Sequence, residues 1–331
     1  MAAKRDPRIS DVFYYFEEFT TLSSGRTVGR KIGVVQEIIC RKHLLSSQAV
    51  RDSLVYEPRI PGRSGATHKV EFVPYQPVEV LVVASGREVA SAKVPRLSLS
   101  VDNIDRVAGR CRVAVQIGGI RFRRTVDVDR LVVDQRLDDL PFALKLVEIA
   151  PNGRGARLSL LQQDAPVASI ESKRVGAQRF SSTDKLGSGI QTIEKAKQAS
   201  LVAVDFDLKY NGTLLALSDR KRKRSFIGIV VLGNGVHWTE HDLSILDTYV
   251  DATFLVEDSA IIRYADFLKR ASGLDGKEFF NHFMSYFEGM TEMKHDGFVV
   301  NAGDFRCVRP AGVRRLLDLV EGQLADYPVT A

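Results

Sequence analysis

The sequence predicts a mixed α/β (α+β) fold, and three observations carry that prediction. Residues 78–162 are rich in short β-type runs separated by Gly-containing turns. Residues 167–232 alternate strand, helix and strand, the order expected of a mixed α/β core. Helical periodicity dominates both ends, over residues 8–56 and again after Trp238.

Taken in order, Ile9, Val12, Phe13, Phe16 and Phe19 recur at helical spacing, and Ser23-Ser24-Gly25 ends that segment. A second helix is expected from Val28 to Leu45. A third helical segment, Gln48 to Val55, stops before Glu57-Pro58, because the residue before a proline is pushed out of the helical region. Residues 58–67 are punctuated by Pro58, Pro61, Gly62, Ser64 and Gly65, and His68 to Val73 reads as a strand.

Val78–Val83, Leu97–Val101 and Arg112–Ile117 read as strands, with turns at Ser85-Gly86, Gly118-Gly119 and Asn152-Gly153. Asp138–Leu146 has room for one helical turn. Ala156–Gln162 and Val167–Lys173 read as a hairpin joined by residues 163–166. A helix from Ser188 to Ala199 and strands Leu201–Asp207 and Ser225–Leu232 follow. Helices are then expected at Leu243–Tyr249, Ala260–Ala271, Glu278–Phe287 and Arg309–Ala325. No internal repeat of 20–50 residues is visible.

Composition narrows the classes. The chain has 331 residues, enough for about two domains at roughly 150 residues each. It is 44% hydrophobic and 27% charged, which excludes a disordered, collagen-like or coiled-coil chain. No apolar run is long enough to span a membrane, and no apolar segment follows the N-terminal Met-Ala-Ala-Lys-Arg. The three cysteines lie far apart without metal-ligand spacing, which fits a reducing cytoplasm. The net charge of +6 permits a nucleic-acid partner. No phosphate-cradling Gly-x-x-x-x-Gly-Lys-Ser/Thr loop occurs, so no nucleotide cofactor is expected.

The sharpest short feature is Ile170-Glu171-Ser172-Lys173. On a strand, alternate side chains share a face, so Glu171 and Lys173 point the same way, roughly 6–7 Å apart. Ala168 and Ile170 point the other way, into a core. A carboxylate and an ammonium projecting together suit phosphodiester hydrolysis. The carboxylate can hold Mg²⁺, and the lysine can orient water or stabilise charge on the phosphate. Mg²⁺ calls for a second carboxylate. The plain alternative is a solvated strand face carrying ordinary charge alternation.

The surroundings add two acids. Glu71 lies in Lys69-Val70-Glu71-Phe72, at the strand predicted there. Glu37 lies in Gly33-Val34-Val35-Gln36-Glu37, on the rim of the apolar arc of the second helix, with Arg41 one turn on. The order helix acid, strand acid, strand Glu-x-Lys, helix resembles the PD-(D/E)xK nuclease superfamily, and within it the type II restriction endonucleases. The resemblance covers roughly residues 25–75 and 155–235. It implies a restriction-endonuclease-like mixed central sheet flanked by helices. It also implies catalytic roles for Glu71, Glu171, Lys173 and Glu37, Mg²⁺ on Glu71 and Glu171, and double-stranded DNA as substrate. A homodimer is implied as well, because palindromic sites mirror two-fold protein symmetry. In these terms residues 1–77 hold the N-terminal helices and first core strand, 78–155 a β-rich insertion, 156–239 the core with Glu-x-Lys, and 240–331 a helical C-terminal region.

The sequence departs from the family in two ways. No Pro-Asp opens the strand of Glu71, and Glu71 stands 100 residues before Glu171. A β-rich insertion accounts for the gap. Glu148 is the alternative second carboxylate. With no functional second acid, the chain would be a non-catalytic nucleic-acid-binding protein on a decayed nuclease fold.

Arg174, Gln178, Arg179 and Lys185, just after the Glu-x-Lys strand, are the expected DNA contacts. Arg121-Phe122-Arg123-Arg124 and the run Arg220–Arg224 are further basic patches. His237-Trp238-Thr239-Glu240-His241 lacks the arrangement of a zinc hydrolase, and Thr239 reads as a helix N-cap.

Overall fold

A computed structural model describes residues 15, 25–56, 72–133, 142–173, 227–233, 238, 240–246, 248–274, 278 and 298–307. The protein is mixed α+β, and its described residues form parallel and antiparallel strands together with helices. It divides into two compact units. One comprises Met1–His43, Ser169–Met290 and Gly297–Arg315. The other comprises Leu44–Ala168, Thr291–Asp296 and Leu316–Ala331. The sequence boundary at 77/78 falls inside a strand, and that at 155/156 falls one residue into another.

The unit built on Leu44–Ala168 begins with a short helix, Gln48–Ser53, which follows the long helix α1 (Gly25–Leu44) and is numbered α2. The sequence reading carried this helix to Val55. Instead, Leu54–Tyr56 forms strand β1, antiparallel to the start of β2 (Phe72–Ala84). Two expected strands are fused in β2, which runs through Pro74 and Pro77. A proline cannot donate to a ladder, and register irregularities fall at Tyr75/Gln76 and Pro77/Glu79. Bulges thus accommodate the residues between the two expected strands.

Strands β3 (Glu88–Ala90), β4 (Leu97–Asp105), β5 (Arg110–Ile117) and β6 (Ile120–Asp127) make a four-stranded antiparallel sheet in that order. Ile117 pairs with Ile120 across Gly118 and Gly119, whose φ values of 55° and 95° both lie in the left-handed region. A two-residue hairpin loop needs that geometry, and glycine adopts it without steric cost.

The second sheet of this unit orders β2, β9 (Gly155–Pro166), β8 (Phe142–Ile149) and β7 (Leu131–Val133). Residues 142–146, part of the segment with room for one helical turn, are strand. The expected hairpin between 156–162 and 167–173 does not form: β9 pairs with β2 along one edge and β8 along the other. The two sheets share one core. Leu99, Val101, Cys111, Val113 and Val115 meet Leu81, Val83, Leu144, Leu146, Leu158 and Leu160 there. Each fully buried aliphatic side chain stabilises this arrangement by about 1.5–3 kcal/mol.

Buried charges tie α2 to this sandwich. Arg157 of β9 donates to both oxygens of Asp52, at 2.8 and 2.6 Å, and Gln48 donates to Asp52 at 3.0 Å. Lys145 of β8 pairs with Asp129 and donates to the Arg51 carbonyl at 2.9 Å.

In the other unit, α1 is followed along the chain by β10 (Ala168–Lys173), β11 (Ile227–Gly233), α3 (Glu240–Leu246), β12 (Ala252–Val256), α4 (Asp258–Ser272) and β13 (Phe305–Cys307). The strands order β13-β12-β11-β10. β11 and β12 are parallel, and α3 lies in their connection. The core of β11 is a continuous buried run, Ile229–Leu232, as a strand covered on both faces requires. Leu246 and Val250 pack with Val230, Leu232 and Leu255.

The region after residue 240, expected to be helical, therefore contributes β12 and β13 as well. Ala252-Thr253-Phe254-Leu255-Val256 is too short to separate strand from buried helix by periodicity alone. Helix α4 matches the expectation closely, burying Ala260, Ile261, Tyr264, Ala265 and Leu268. It ends on Gly273 at φ 68°, a left-handed C-cap. No helix among the described residues is long and apolar enough to cross a membrane. The segments expected at 8–14, 188–199, 201–207, 279–287 and 309–325 lie outside the described residues, as does the N-cap residue Thr239.

Candidate functional site

Strand β10 carries the Glu-x-Lys pair, and its surroundings differ from the expected sheet surface. Alternation holds: Ala168, Ile170 and Ser172 share one face, and Ser169, Glu171 and Lys173 share the other. Both faces are covered as far as Ser172, however. Glu171 is 7% exposed and Ser172 2%, while Lys173 is exposed. The two charged groups therefore do not project together into solvent. This also removes the reading of Glu171 as a solvated strand residue, since a carboxylate is rarely buried to this degree without a dedicated environment.

The covering element on the Ser172 side is α1. Its buried positions Ile32, Val35, Gln36, Ile39 and Cys40 follow helical spacing, so a glutamine sits in the middle of an apolar stripe. Gln36 is wholly buried. Its Nε2 donates to Ser172 Oγ at 3.2 Å and to the Val231 carbonyl at 3.3 Å. One side chain thus holds α1 to both β10 and β11, at the residue between Glu171 and Lys173. Its Oε1 accepts no hydrogen bond among the described residues. Sequence reading gave Gln36 no role. The available signal was a polar residue at i+4 from Ile32 and i−3 from Ile39, inside a buried arc. Glu37, the neighbouring residue, is half-buried on the same helix.

Glu148, the alternative acid, lies on β8 and pairs with Arg51 at 3.5 Å, both side chains being part-exposed. That pairing belongs to the network around α2. Glu71, which directly precedes β2, lies outside the described residues, and so do Arg174, Gln178, Arg179, Lys185 and the run 220–224. Lys173 and Glu171 are the site residues that can be placed together, two positions apart on one strand. Among the described residues no group of three or more His, Cys, Asp or Glu side chains could hold a metal ion.

A second concave feature lies within the strand-rich unit. It is a cavity of about 320 Å³ lined by Tyr56, Arg124, Asp127, Asp129, Arg130 and Lys145 among others. The Arg130 guanidinium sits over the Tyr56 ring, 5.9 Å from its centroid. Three cations face two carboxylates, and the Lys145–Asp129 pair is buried. The Lys145–Asp129 pair is part of this lining.

No protein-family model matches the chain, and neither a curated protein nor a solved structure is detectably similar to it.

Proposed function

We propose that this protein is a Mg²⁺-dependent endonuclease that hydrolyses phosphodiester bonds of double-stranded DNA, with a core of the restriction-endonuclease type. One observation carries the reading: a Glu-x-Lys pair ends a strand whose other face is pinned by a buried glutamine. Glu171 is largely sequestered from water. Lys173, two residues on, is open to solvent and to a polyanion.

The donor chemistry of Glu171 suits Mg²⁺, a hard ion that takes carboxylate oxygens. The second carboxylate in this proposal is Glu71, with Glu37 as an outer acid. A bound Mg²⁺ supplies charge neutralisation at the scissile phosphate and an acidified water. Lys173 orients that water or stabilises the phosphate charge. Gln36 acts as a positioning residue, because its amide donates to the hydroxyl of Ser172, the residue between Glu171 and Lys173. Arg174, Gln178, Arg179 and Lys185 follow directly on the strand and contact the DNA in this reading. A cytoplasmic homodimer without a nucleotide cofactor completes it.

A second reading is the non-catalytic one, in which no second acid completes the site. On that reading the chain binds DNA on the same fold without cutting it.

Plasmid and phage DNA incubated with the protein in Mg²⁺ or EDTA, beside Lys173→Ala and Glu171→Gln, test the proposal. The expected result is discrete Mg²⁺-dependent fragments from the wild type, and a rate about 10²–10⁴ lower in each variant. Cleavage that survives both substitutions would mean the site lies elsewhere. Intact DNA in every reaction, with binding retained, would establish the non-catalytic reading.

A further inference from the structure

We infer that the outer face of β5 and β6 is a docking surface for the phosphate backbone of DNA. The inference rests on the reading above for its partner but not for its geometry. The ladder between the two strands sorts their side chains by face. Cys111, Val113, Val115 and Ile117 lie opposite Val126, Arg124, Phe122 and Ile120. Cys111, Val113, Val115 and Val126 belong to the core, so that face is the inner one. Arg110, Arg112, Ala114 and Gln116 lie opposite Asp127, Thr125, Arg123 and Arg121 on the outer one.

The outer face is unevenly charged. Arg121 and Arg123 stand two residues apart on β6, about 6–7 Å along the strand. Both are exposed, and neither has an ion-pair partner among the described residues. The acids of this face lie beside residues other than Arg121 and Arg123. Asp102 lies 3.9 Å from Arg112, Asp105 lies 4.0 Å from Arg110, and Glu88 accepts from Ser98 at 2.6 Å. Asp127 is at the far end of β6, opposite Arg110. Uncompensated positive charge is thus concentrated near the Gly118-Gly119 turn, beside Gln116, which is also exposed. A polyanion with regularly spaced charges complements this row. Guanidinium groups suit it because their forked donors match phosphate oxygens.

Among the described residues β6 is also the edge of its sheet, and charged side chains on an edge discourage pairing with another chain. Edge protection alone would be served by either sign of charge and would leave DNA affinity unmoved. The test turns on that difference.

Binding of a fluorescein-labelled DNA duplex is followed by anisotropy across a NaCl titration, in EDTA so that no cleavage occurs. The wild type is compared with Arg121→Gln/Arg123→Gln and with Arg121→Lys/Arg123→Lys. Losing two phosphate contacts should lower the slope of log K against log salt by about 2 and weaken binding by a similar factor on every duplex sequence. The lysine variant should keep the wild-type slope. An unchanged slope in the glutamine variant, or a wild type that does not bind DNA, overturns the inference. So does tighter retention of a competing RNA duplex. Failure here is separable from failure of the nuclease reading. If the slope is unmoved but cleavage still needs Lys173, only the docking face is wrong. A lowered slope without any cleavage leaves the docking face standing and removes the catalysis. Matching far-UV circular dichroism of all three proteins confirms that folding is not what changed.

Discussion

Replacing Arg157 by methionine tests the account of how α2 is fastened to the sandwich. The Arg157 and Asp52 side chains are 12% and 8% exposed, so both charges are largely removed from water. The two hydrogen bonds, at 2.8 and 2.6 Å, satisfy both carboxylate oxygens. The bond to Asp52 and its nearby charge raise the Arg157 pKa against the opposing effect of burial. Methionine keeps much of the volume and removes the donors. Breaking a buried pair on one side costs about 3–5 kcal/mol, because the remaining charge is stranded. Gln48 still donates to Asp52 at 3.0 Å, which puts the expectation at the lower end, about 3 kcal/mol.

Urea unfolding followed by far-UV circular dichroism reads this cost. With a slope of about 2 kcal/mol per molar urea, the midpoint should fall by about 1.5 M. The single tryptophan, Trp238, belongs to the other unit, so its fluorescence provides a separate record of that unit. Asp52→Asn combined with Arg157→Met should recover at least about 1.5 kcal/mol relative to Arg157→Met alone, since no stranded charge remains. A midpoint shift below about 0.5 M in Arg157→Met, or no recovery in the double variant, would refute the reasoning.

Two further predictions concern the strand-rich unit. Burial, and secondarily Asp102, push the Cys111 thiol up from 9.0 to about 11. The folded protein therefore keeps this thiol protonated where the unfolded chain loses its proton, so stability falls as pH rises from about 9 towards 11, by up to about 3 kcal/mol. Cys111→Val should flatten that decline in urea midpoints at pH 8 and pH 10.5, and parallel declines would contradict the assignment. Gly155→Ala places a Cβ 2.8 Å from the Val83 carbonyl oxygen, a backbone atom that cannot step aside freely. The expected cost is about 1–3 kcal/mol, with faster amide exchange where β2 meets β9; unchanged exchange at Val83 and Ala84 would show that the ladder tolerates the methyl.

Much of the local structure was legible because it depends on short-range chemistry. The α1 and α4 helices follow from apolar spacing, and the Gly118-Gly119 hairpin follows from the one residue type that accepts positive φ at no cost. The β-rich character of 78–162 is likewise a property of the residues themselves. Candidate chemistry was visible at the same level: Glu171 and Lys173 share a face because strands alternate, whatever surrounds them.

Tertiary structure decided what each residue faces. Pro74 and Pro77 look like a break until the β2–β9 ladder supplies bulges to hold them. Residues 156–162 and 167–173 look like a hairpin until β9 finds both its edges taken by β2 and β8. Burial of Glu171, exposure of Lys173 and the reach of Gln36 to Ser172 depend on which helix covers which strand. Gln36 and Ser172 are 136 residues apart in the chain, and no local pattern encodes that meeting. Periodicity in a sequence states which side chains travel together. Only the packing of distant segments determines whether they meet water, a core or one another.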